Sequence, residues 1–259
     1  MNWFQSLVLG IIQGLTEFLP VSSSGHLEIA KSLFGVDPKA SFFFTIAVHG
    51  ATVLSTIVVF RKEILNLLNG FFKFRMNDET VYTLKLLLSM VPVMITGLLF
   101  KKPIESLFNE NLFFIGLMLL ATALILALSH FIKKKERDIT FKDALIIGLA
   151  QALSVIPGIS RSGSTIATGL LIGNKKDEIA KFSFLMVLIP VIGANFLEIV
   201  SGDAAKNTAG MGVILIGFIA AFISGYLACK WMITLVRKSK LIWFAIYCAV
   251  IGTLSVFLG

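Results

Sequence analysis

The chain has 259 residues, of which 56% are apolar and only 15% are Asp, Glu, Lys or Arg, against about 25% charged residues in an average soluble domain. This composition excludes a soluble globular enzyme and a disordered chain, because too little polar surface is present to cover a soluble fold. The net charge of +8 is attributed to cytoplasmic loops, where Lys and Arg concentrate in membrane proteins, and not to nucleic-acid binding. The sequence therefore predicts an all-α polytopic membrane protein.

The first apolar region, residues 7–20, is too short to cross a membrane. Its 14 residues would form a helix of about 21 Å, whereas the hydrocarbon core is about 30 Å thick. The region ends at Pro20, and a Ser/Gly cluster and a second short apolar run at residues 27–35 follow. Pro and Gly interrupt a helix, and loop backbone at membrane depth is tolerated only within protein or beside a wet cavity. We expect a re-entrant helix hairpin over residues 2–35.

Six further segments are each about as long and apolar as a membrane span requires. They are Ser41–Phe60, Val81–Phe100, Asn111–Ile132, Lys181–Val200, Gly210–Cys229 and Leu241–Gly259. Three of them precede, and three follow, a second short region with the pattern of the first. In this region an apolar run at residues 144–157 ends at Pro157, and a Ser/Gly cluster and a short apolar run follow. We expect a second re-entrant hairpin over residues 144–173.

The two hairpins also match each other in sequence at an offset of 138 residues. The matched pairs are Gly10 with Gly148, Gln13 with Gln151, Leu15 with Leu153, Ser22 with Ser160, Ser24 with Ser162, Gly25 with Gly163, Leu33 with Leu171 and Gly35 with Gly173. The chain, residues 1–259, is thus predicted to be one transmembrane domain made of two repeats, about 1–132 and 140–259. Because each repeat has three spans, the second is inverted relative to the first, as in inverted-repeat transporters.

Loop charges give the orientation. If both hairpins return to their own side, five Lys residues lie on one side of the membrane and sixteen Lys or Arg residues on the other. The positive-inside rule places the richer side in the cytoplasm. Both termini and the first hairpin are then predicted outside, and the second hairpin opens to the cytoplasm.

The polar residues of the two hairpins point to anion chemistry. Gln13 and Glu17 are four residues apart and share one face of the first arm. The Ser-rich loop from Pro20 to His26 and the loop from Pro157 to Thr165 each precede a short helix, whose first amides and dipole favour an anion. The second loop carries Arg161, an expensive residue at bilayer depth that needs an anionic partner and has a fork of donors suited to phosphate. We expect the two tips to meet around one site.

Two stretches resemble the paired signature motifs of the undecaprenyl-diphosphate phosphatase (bacitracin-resistance) family. They are Gln13-Gly-Leu-Thr-Glu-Phe-Leu-Pro-Val-Ser-Ser-Ser-Gly-His26 and Pro157-Gly-Ile-Ser-Arg-Ser-Gly-Ser-Thr165. The resemblance implies a phosphatase of the bacterial inner membrane that depends on Mg²⁺ or Ca²⁺ and acts on a polyprenyl diphosphate lipid. It implies that the catalytic residues are Glu17, Ser23, His26 and Arg161, and that the phosphates are bound by Ser22, Ser24, Gly25, Ser160, Ser162 and Thr165. Glu17 is the implied metal ligand, and Gln13, where the family also allows Glu, is a doubtful second ligand.

Several alternatives stay open at this level. The nucleophile is either Ser23, activated by His26 or Glu17, or His26 itself. An inverted-repeat lipid flippase or anion transporter is the competing function, with Arg161 as the substrate anchor. His49 and His130 are expected to pack within or at the end of a span. Membrane lipids are the expected surroundings, no nucleic acid is expected as a partner, and a homodimer is an arrangement that the sequence leaves open.

Overall fold

The structure, a computed structural model, describes residues 1–36, 42–100, 103–104, 107, 111–131, 136–200, 210–238 and 240–258. In these residues the chain is helical, and an isolated parallel bridge joins Arg137 to Asn174. The main helices are α1 (Trp3–Phe18), α2 (Ser23–Leu33), α3 (Phe42–Val59), α4 (Arg61–Phe71), α5 (Asp78–Leu99), α6 (Leu112–Phe131), α7 (Phe141–Leu153), α8 (Arg161–Leu171), α9 (Lys176–Leu185), α10 (Leu188–Val200), α11 (Met211–Arg237) and α12 (Ile242–Leu258).

The chain is a multi-pass membrane protein. Four helical segments are long and apolar enough to cross a membrane, namely α5, α6, α11 and the stretch Lys176–Leu197 formed by α9 and α10. A fifth is counted if α3 and α4, which meet at a bend of 74°, form one broken span. The last helix, α12, is apolar but has only 17 residues. An all-helical membrane fold is thus confirmed, whereas the arrangement of six spans and two hairpins stays a prediction.

The observed helices differ from the predicted spans at several ends. The segment predicted from Lys181 begins at Lys176, because Asp177 and Glu178 lie in the first turn of α9 and favour a helix start. It is broken after Leu185, since Pro190 has no amide hydrogen to donate to the carbonyl of residue 186. Helix α4 and the bend between it and α3 were not predicted. The predicted end residues Ser41, Ile132 and Gly259 lie outside the described residues.

The predicted hairpins are two pairs of short helices, α1 with α2 and α7 with α8. Helix α1 ends at Phe18 because Leu19, which precedes a proline, adopts an extended backbone. The two second arms then start with the same cap. The Ser22 hydroxyl accepts from the amide of Gly25 at 3.3 Å, and the Ser160 hydroxyl accepts from the amide of Gly163 at 3.1 Å. The capping serine thus fixes where each loop turns back into helix.

Each first arm packs closely against a long helix of the other half of the chain. A Cβ atom on Gly10 would lie 2.4 Å from the Gly217 carbonyl oxygen in α11, and one on Gly148 would lie 2.4 Å from the Ser89 carbonyl oxygen in α5. Only glycine permits these approaches, because a Cβ at that distance would overlap the carbonyl. The first arms are therefore locked to neighbouring helices, which places their ends, and the loops that follow, at fixed positions inside the fold.

Two apolar clusters surround the loops. The smaller cluster joins the first hairpin to α3 and α11 through Leu9, Leu27, Phe44, Val48 and Ala221. The larger cluster surrounds the second hairpin and includes the fully buried side chains of Ile147, Ile166, Ile179, Phe182 and Met232. Both loops consequently lie between packed helices and not on an exposed surface.

A polar clasp, formed by Arg137, Asp143 and Asn174, joins the two arms of the second hairpin at the end opposite its tip. The guanidinium of Arg137 donates to both carboxylate oxygens of Asp143, the second at 2.7 Å, and Asn174 donates to the same carboxylate at 3.2 Å. The hydrogen bond to Asp143 raises the pKa of Arg137 above its ordinary value. The clasp ties the start of α7 to the loop after α8, so the two arms of the hairpin are held at their base as well as at their tip.

Candidate active site

The tip of the first hairpin is organised around the carboxylate of Glu17. This side chain lies in the last turn of α1 and is 10% exposed. Its Oε2 atom accepts from the carboxamide of Gln13 at 2.8 Å and from the hydroxyl of Ser23 at 2.7 Å. Gln13 reaches it because residues four apart share a helix face, as the sequence predicted. A serine hydroxyl is thus hydrogen-bonded to a largely buried carboxylate, which is the contact that activates a nucleophile.

Arg161 brings the second tip to the same carboxylate. It is the first residue of α8, and its Nη2 atom donates to Oε1 of Glu17. The backbone of the tips is joined as well, since the Ser162 hydroxyl donates to the carbonyl of Leu19 at 3.0 Å. The structure therefore brings the two hairpin tips together around one ion pair, as the sequence led us to expect.

The guanidinium of Arg161 has a hydrogen-bond donor that its ion pair with Glu17 does not use. Its Nη1 atom is buried, and among the described residues it has no hydrogen-bond partner. A buried donor without a partner costs about 1–3 kcal/mol, and an anion next to Glu17 would remove that cost. This arrangement suits a phosphate, because a guanidinium can hold one anion with one edge and a second with the other.

The remaining predicted phosphate ligands lie at the starts of α2 and α8, around the ion pair. Ser22 and Ser160 accept from the amides that they cap, and each lies 3.4 Å from the hydroxyl two residues later, that of Ser24 or Ser162. Ser22 has a φ of 69°, a strained value for a residue with a side chain. Thr165 is fully buried and donates to the carbonyl of Arg161 at 2.8 Å. The capping serines thus fix the backbone of the two tips, and Thr165 fixes the backbone of Arg161.

His26 lies one helical turn after Ser23, and its two ring nitrogens have different partners. Nδ1 lies 2.8 Å from the carbonyl oxygen of Ser22, and Nε2 lies 2.9 Å from the hydroxyl of Tyr247. A carbonyl oxygen only accepts, so Nδ1 carries a proton, and in the neutral ring Nε2 is the acceptor. His26 is therefore at the tip but contacts neither Glu17 nor Arg161 through the hydrogen bonds of the described residues.

A pocket opens beside the ion pair, and its wall from α3 was not predicted from the sequence. Its polar lining is Glu17, Arg161, Thr52 and Thr56, and its apolar lining is Phe18, Val53, Phe184, Val187, Leu188 and Val191. His49, expected only to pack, lies near enough to Glu17 for an electrostatic interaction. A signal existed in the sequence: His49, Thr52 and Thr56 are spaced by three and four residues, the spacing of one helix face.

A second contribution that the sequence did not reveal comes from α6. The hydroxyl of Thr122 accepts from the amide of Ser160 at 3.0 Å and donates to the carbonyl of Gly158 at 3.3 Å. It thereby pairs two backbone groups of the second loop, which would otherwise be buried without partners. Thr122 holds the loop that presents Arg161, although it lies in an apolar span where a single threonine gives no sequence signal.

Comparison with known proteins identifies the family. The description "Bacitracin resistance protein BacA" applies to the family that matches residues 6–254. The chain belongs to this BacA family. A relative from Parabacteroides distasonis is 53% identical over 260 residues, which cover 99% of this chain and 98% of the relative. Relatives from Bacteroides fragilis and the archaeon Methanococcus vannielii are 52% and 42% identical, with 98% or more of each chain covered. All three relatives are named undecaprenyl-diphosphatase.

The site of this BacA-family chain offers a divalent cation only some of the oxygen ligands that it needs. No group of three His, Cys, Asp or Glu side chains occurs within the described ranges. However, the carboxamide oxygen of Gln13 is buried without a hydrogen-bond partner beside Glu17. Mg²⁺ is commonly held by one or two carboxylates together with substrate phosphates and water. The Glu17 carboxylate and the Gln13 oxygen therefore fit a cation that the substrate helps to bind.

Proposed function

We propose that the protein is an integral-membrane phosphatase that hydrolyses undecaprenyl diphosphate to undecaprenyl phosphate and inorganic phosphate. The observation that carries the proposal is the convergence of Ser23, Glu17 and Arg161 at the two tips, within a chain about 50% identical to proteins named undecaprenyl-diphosphatase. The product is the lipid carrier used in cell-wall synthesis. Its recycling connects the enzyme with peptidoglycan synthesis and with resistance to bacitracin.

Arg161 and the loop amides provide the charge that the substrate needs. A diphosphate is strongly anionic and repels an attacking oxygen, and the transition state spreads this charge over the equatorial oxygens of the transferred group. The unpaired Nη1 atom of Arg161 and the first amides of α2 and α8 are fixed donors next to Glu17. Donors that are already in place stabilise the developing charge without reorganisation during the reaction.

Ser23 is the nucleophile in this proposal, and Glu17 is its base. The Ser23 oxygen attacks the terminal phosphorus, its proton passes to Oε2 of Glu17, and the bond to the bridging oxygen breaks, which releases undecaprenyl phosphate. Water then attacks the phosphoserine, and inorganic phosphate leaves as Ser23 regains its proton. The distance of 2.7 Å between Ser23 and Glu17 supports this assignment over His26, whose ring nitrogens face Ser22 and Tyr247.

A cation, Mg²⁺ or Ca²⁺, is proposed to bind at Glu17 and the carboxamide oxygen of Gln13. When bound, it supplies positive charge next to the phosphates. Gln13 is neutral, so this chain offers the cation one carboxylate at the site and relies on substrate oxygens for the remaining ligands. The same carboxamide donates to Glu17 at 2.8 Å and orients it toward Ser23.

The side chains that line the small pocket next to the ion pair are polar at one end and apolar at the other, which matches the two parts of an amphiphilic substrate. The charged end of the pocket is formed by Glu17 and Arg161, and the other end by apolar side chains that include Val187, between α9 and α10, and Val191 of α10. The break between α9 and α10 lies on this wall. We place the diphosphate at the charged end and the first prenyl units between α3 and α10, where the chain can pass into the lipid.

The arrangement in the membrane is also part of the proposal. We infer six spans and two re-entrant hairpins in an inverted repeat, in a bacterial inner membrane, with both termini and the first hairpin outside. The lengths of α1 and α7, 16 and 13 residues, support re-entrance, since they correspond to only about 24 and 20 Å. The excess of Lys and Arg in the loops on one side supports the orientation. A homodimer stays a prediction.

The experiment that tests the function is phosphate release by the purified protein in detergent micelles, with undecaprenyl diphosphate as substrate. An enzyme needs no sealed compartment, so we expect one phosphate per lipid and undecaprenyl phosphate as the second product. The matched comparison is the same protein in sealed liposomes with an impermeant fluorescent prenyl diphosphate. Translocation in liposomes without phosphate release in micelles would contradict the phosphatase and establish a flippase.

A further inference from the structure

Helix α12 contacts the tip of the first hairpin at two adjacent residues. The hydroxyl of Tyr247 lies 2.9 Å from Nε2 of His26, and the thiol of Cys248 donates to the carbonyl of Pro20 at 3.6 Å. The phenol and imidazole rings also stack, with an angle of 12° between their planes and 5.5 Å between their centres. Two independent geometric features, a hydrogen bond and a stacked ring pair, thus join Tyr247 to His26 across 221 residues of sequence.

The partner of Nδ1 decides the direction of the hydrogen bond to Tyr247. Nδ1 donates to the carbonyl of Ser22 at 2.8 Å, so in the neutral ring Nε2 has a lone pair and must accept. The Tyr247 hydroxyl is therefore the donor. The hydrogen bonds of the two ring nitrogens thus go to the Ser22 carbonyl and the Tyr247 hydroxyl. The ring is held at both nitrogens and on one face.

We propose that Tyr247 is a positioning residue for His26: its hydroxyl donates to Nε2 and its ring lies parallel to the imidazole, which fixes the plane of a ring whose tautomer the Ser22 carbonyl sets. This inference rests on the proposed phosphatase function and adds to it a supporting role for His26, whose ring lies one helical turn after the nucleophile Ser23. A side chain held in one orientation contributes more in the transition state than one that must be ordered during the reaction.

The test compares Tyr247→Phe with the parent protein and with Tyr226→Phe. Tyr247→Phe keeps the aromatic ring and removes only the hydroxyl. Tyr226→Phe is the matched control, because the hydroxyl of Tyr226 contacts Lys230, which also lies in α11, and not His26. For phosphate release from undecaprenyl diphosphate in micelles, we expect kcat of Tyr247→Phe to fall about 2- to 10-fold, as for the loss of one neutral hydrogen bond. KM should change less than twofold, because Tyr247 acts through His26 and not on the bound lipid.

A second measurement reads the hydrogen bond directly. The chain has three histidines, and His26→Gln identifies the ¹⁵N signals of His26. At a pH where the ring is neutral, the Nε2 resonance should move to higher frequency in Tyr247→Phe, because its lone pair loses a donor, and should stay in place in Tyr226→Phe. An unmoved resonance, or an unchanged kcat, would overturn the role of Tyr247. An inactive parent protein would instead overturn the phosphatase function, and with it any role of Tyr247 in that reaction.

Discussion

Replacing Arg161 by Lys tests whether the guanidinium holds the phosphate by paired hydrogen bonds or only neutralises the charge of Glu17. In the structure Nη2 of Arg161 pairs with Glu17 while Nη1 is buried without a partner, so the guanidinium can hold the carboxylate and a phosphate together. A lysine ammonium keeps the charge but is a single point that cannot reproduce this paired geometry. Losing one or two charge-assisted hydrogen bonds, each about 1.5–3 kcal/mol, should lower kcat/KM by about 10- to 10⁴-fold.

The assay is steady-state phosphate release by the purified variant, after size-exclusion chromatography has confirmed a monodisperse protein. Arg237→Lys is the matched control, since Arg237 is exposed and pairs with Asp177 away from the site. We expect the control to keep parental activity and Arg161→Lys to remain folded, because an ammonium can still pair with Glu17. If Arg161→Lys stays within a few-fold of the parent, Arg161 only neutralises Glu17, and the phosphate-fork reasoning is refuted.

Further predictions concern the rest of the site. Ser23→Ala should lose about 10³-fold or more in kcat if Ser23 is the nucleophile, whereas Ser24→Ala should lose far less; equal losses would refute that assignment. Glu17→Gln should abolish phosphate release at every cation concentration, while Gln13→Glu should keep activity and lower the half-saturating Mg²⁺ concentration in a cation titration. Gln151→Leu should raise the free energy of unfolding by about 1–3 kcal/mol, because it removes a buried carboxamide without partners. Thermal unfolding in detergent measures this change, and destabilisation would show that Gln151 is paired.

The sequence predicts the break between α1 and α2 and the polar face of α1 well, because both depend on local spacing. A four-residue separation places Gln13 beside Glu17 in any helix. Pro20 favours a helix end before it, because the residue that precedes a proline avoids the helical backbone, and Leu19 is extended. The meeting of the tips was also predictable, since an intramembrane Arg161 needs an anionic partner. These features follow from residue type and spacing alone, without knowledge of the packing.

The contributions of α6 and α12 could not be predicted in the same way. Thr122 and Tyr247 lie in apolar helices whose composition indicates only a membrane environment, and their partners are 38 and 221 residues away.

The ends of the helices were also difficult to predict. The start at Lys176 depends on charged residues that a search for apolar runs leaves out, and the break after Leu185 depends on one missing hydrogen bond.

The predicted repeat gives a reason for the asymmetry of the tips. Ser23 and Arg161 are equivalent at the offset of 138 residues, and each is the first residue of its second arm. Both contact Glu17, Ser23 at Oε2 and Arg161 at Oε1. Equivalent positions of two inverted hairpins would reach the same place from opposite sides. Two arginines there would repel each other, and two serines would leave the phosphate without a cation, so different side chains are what the chemistry requires.

The same comparison explains the unpaired carboxamide in the second hairpin. Gln13 donates to Glu17, but the residue equivalent to Glu17 is Val155, so Gln151, the counterpart of Gln13, has no carboxylate to bind. Both polar atoms of its side chain are buried without hydrogen-bond partners in the described part of the chain. A shared scaffold with one carboxylate thus gives the amide nitrogen of Gln13 a partner and leaves that of Gln151 without one among the described residues. The larger cost falls on the second hairpin, whereas the first hairpin keeps the hydrogen bond between Gln13 and Glu17 next to Ser23.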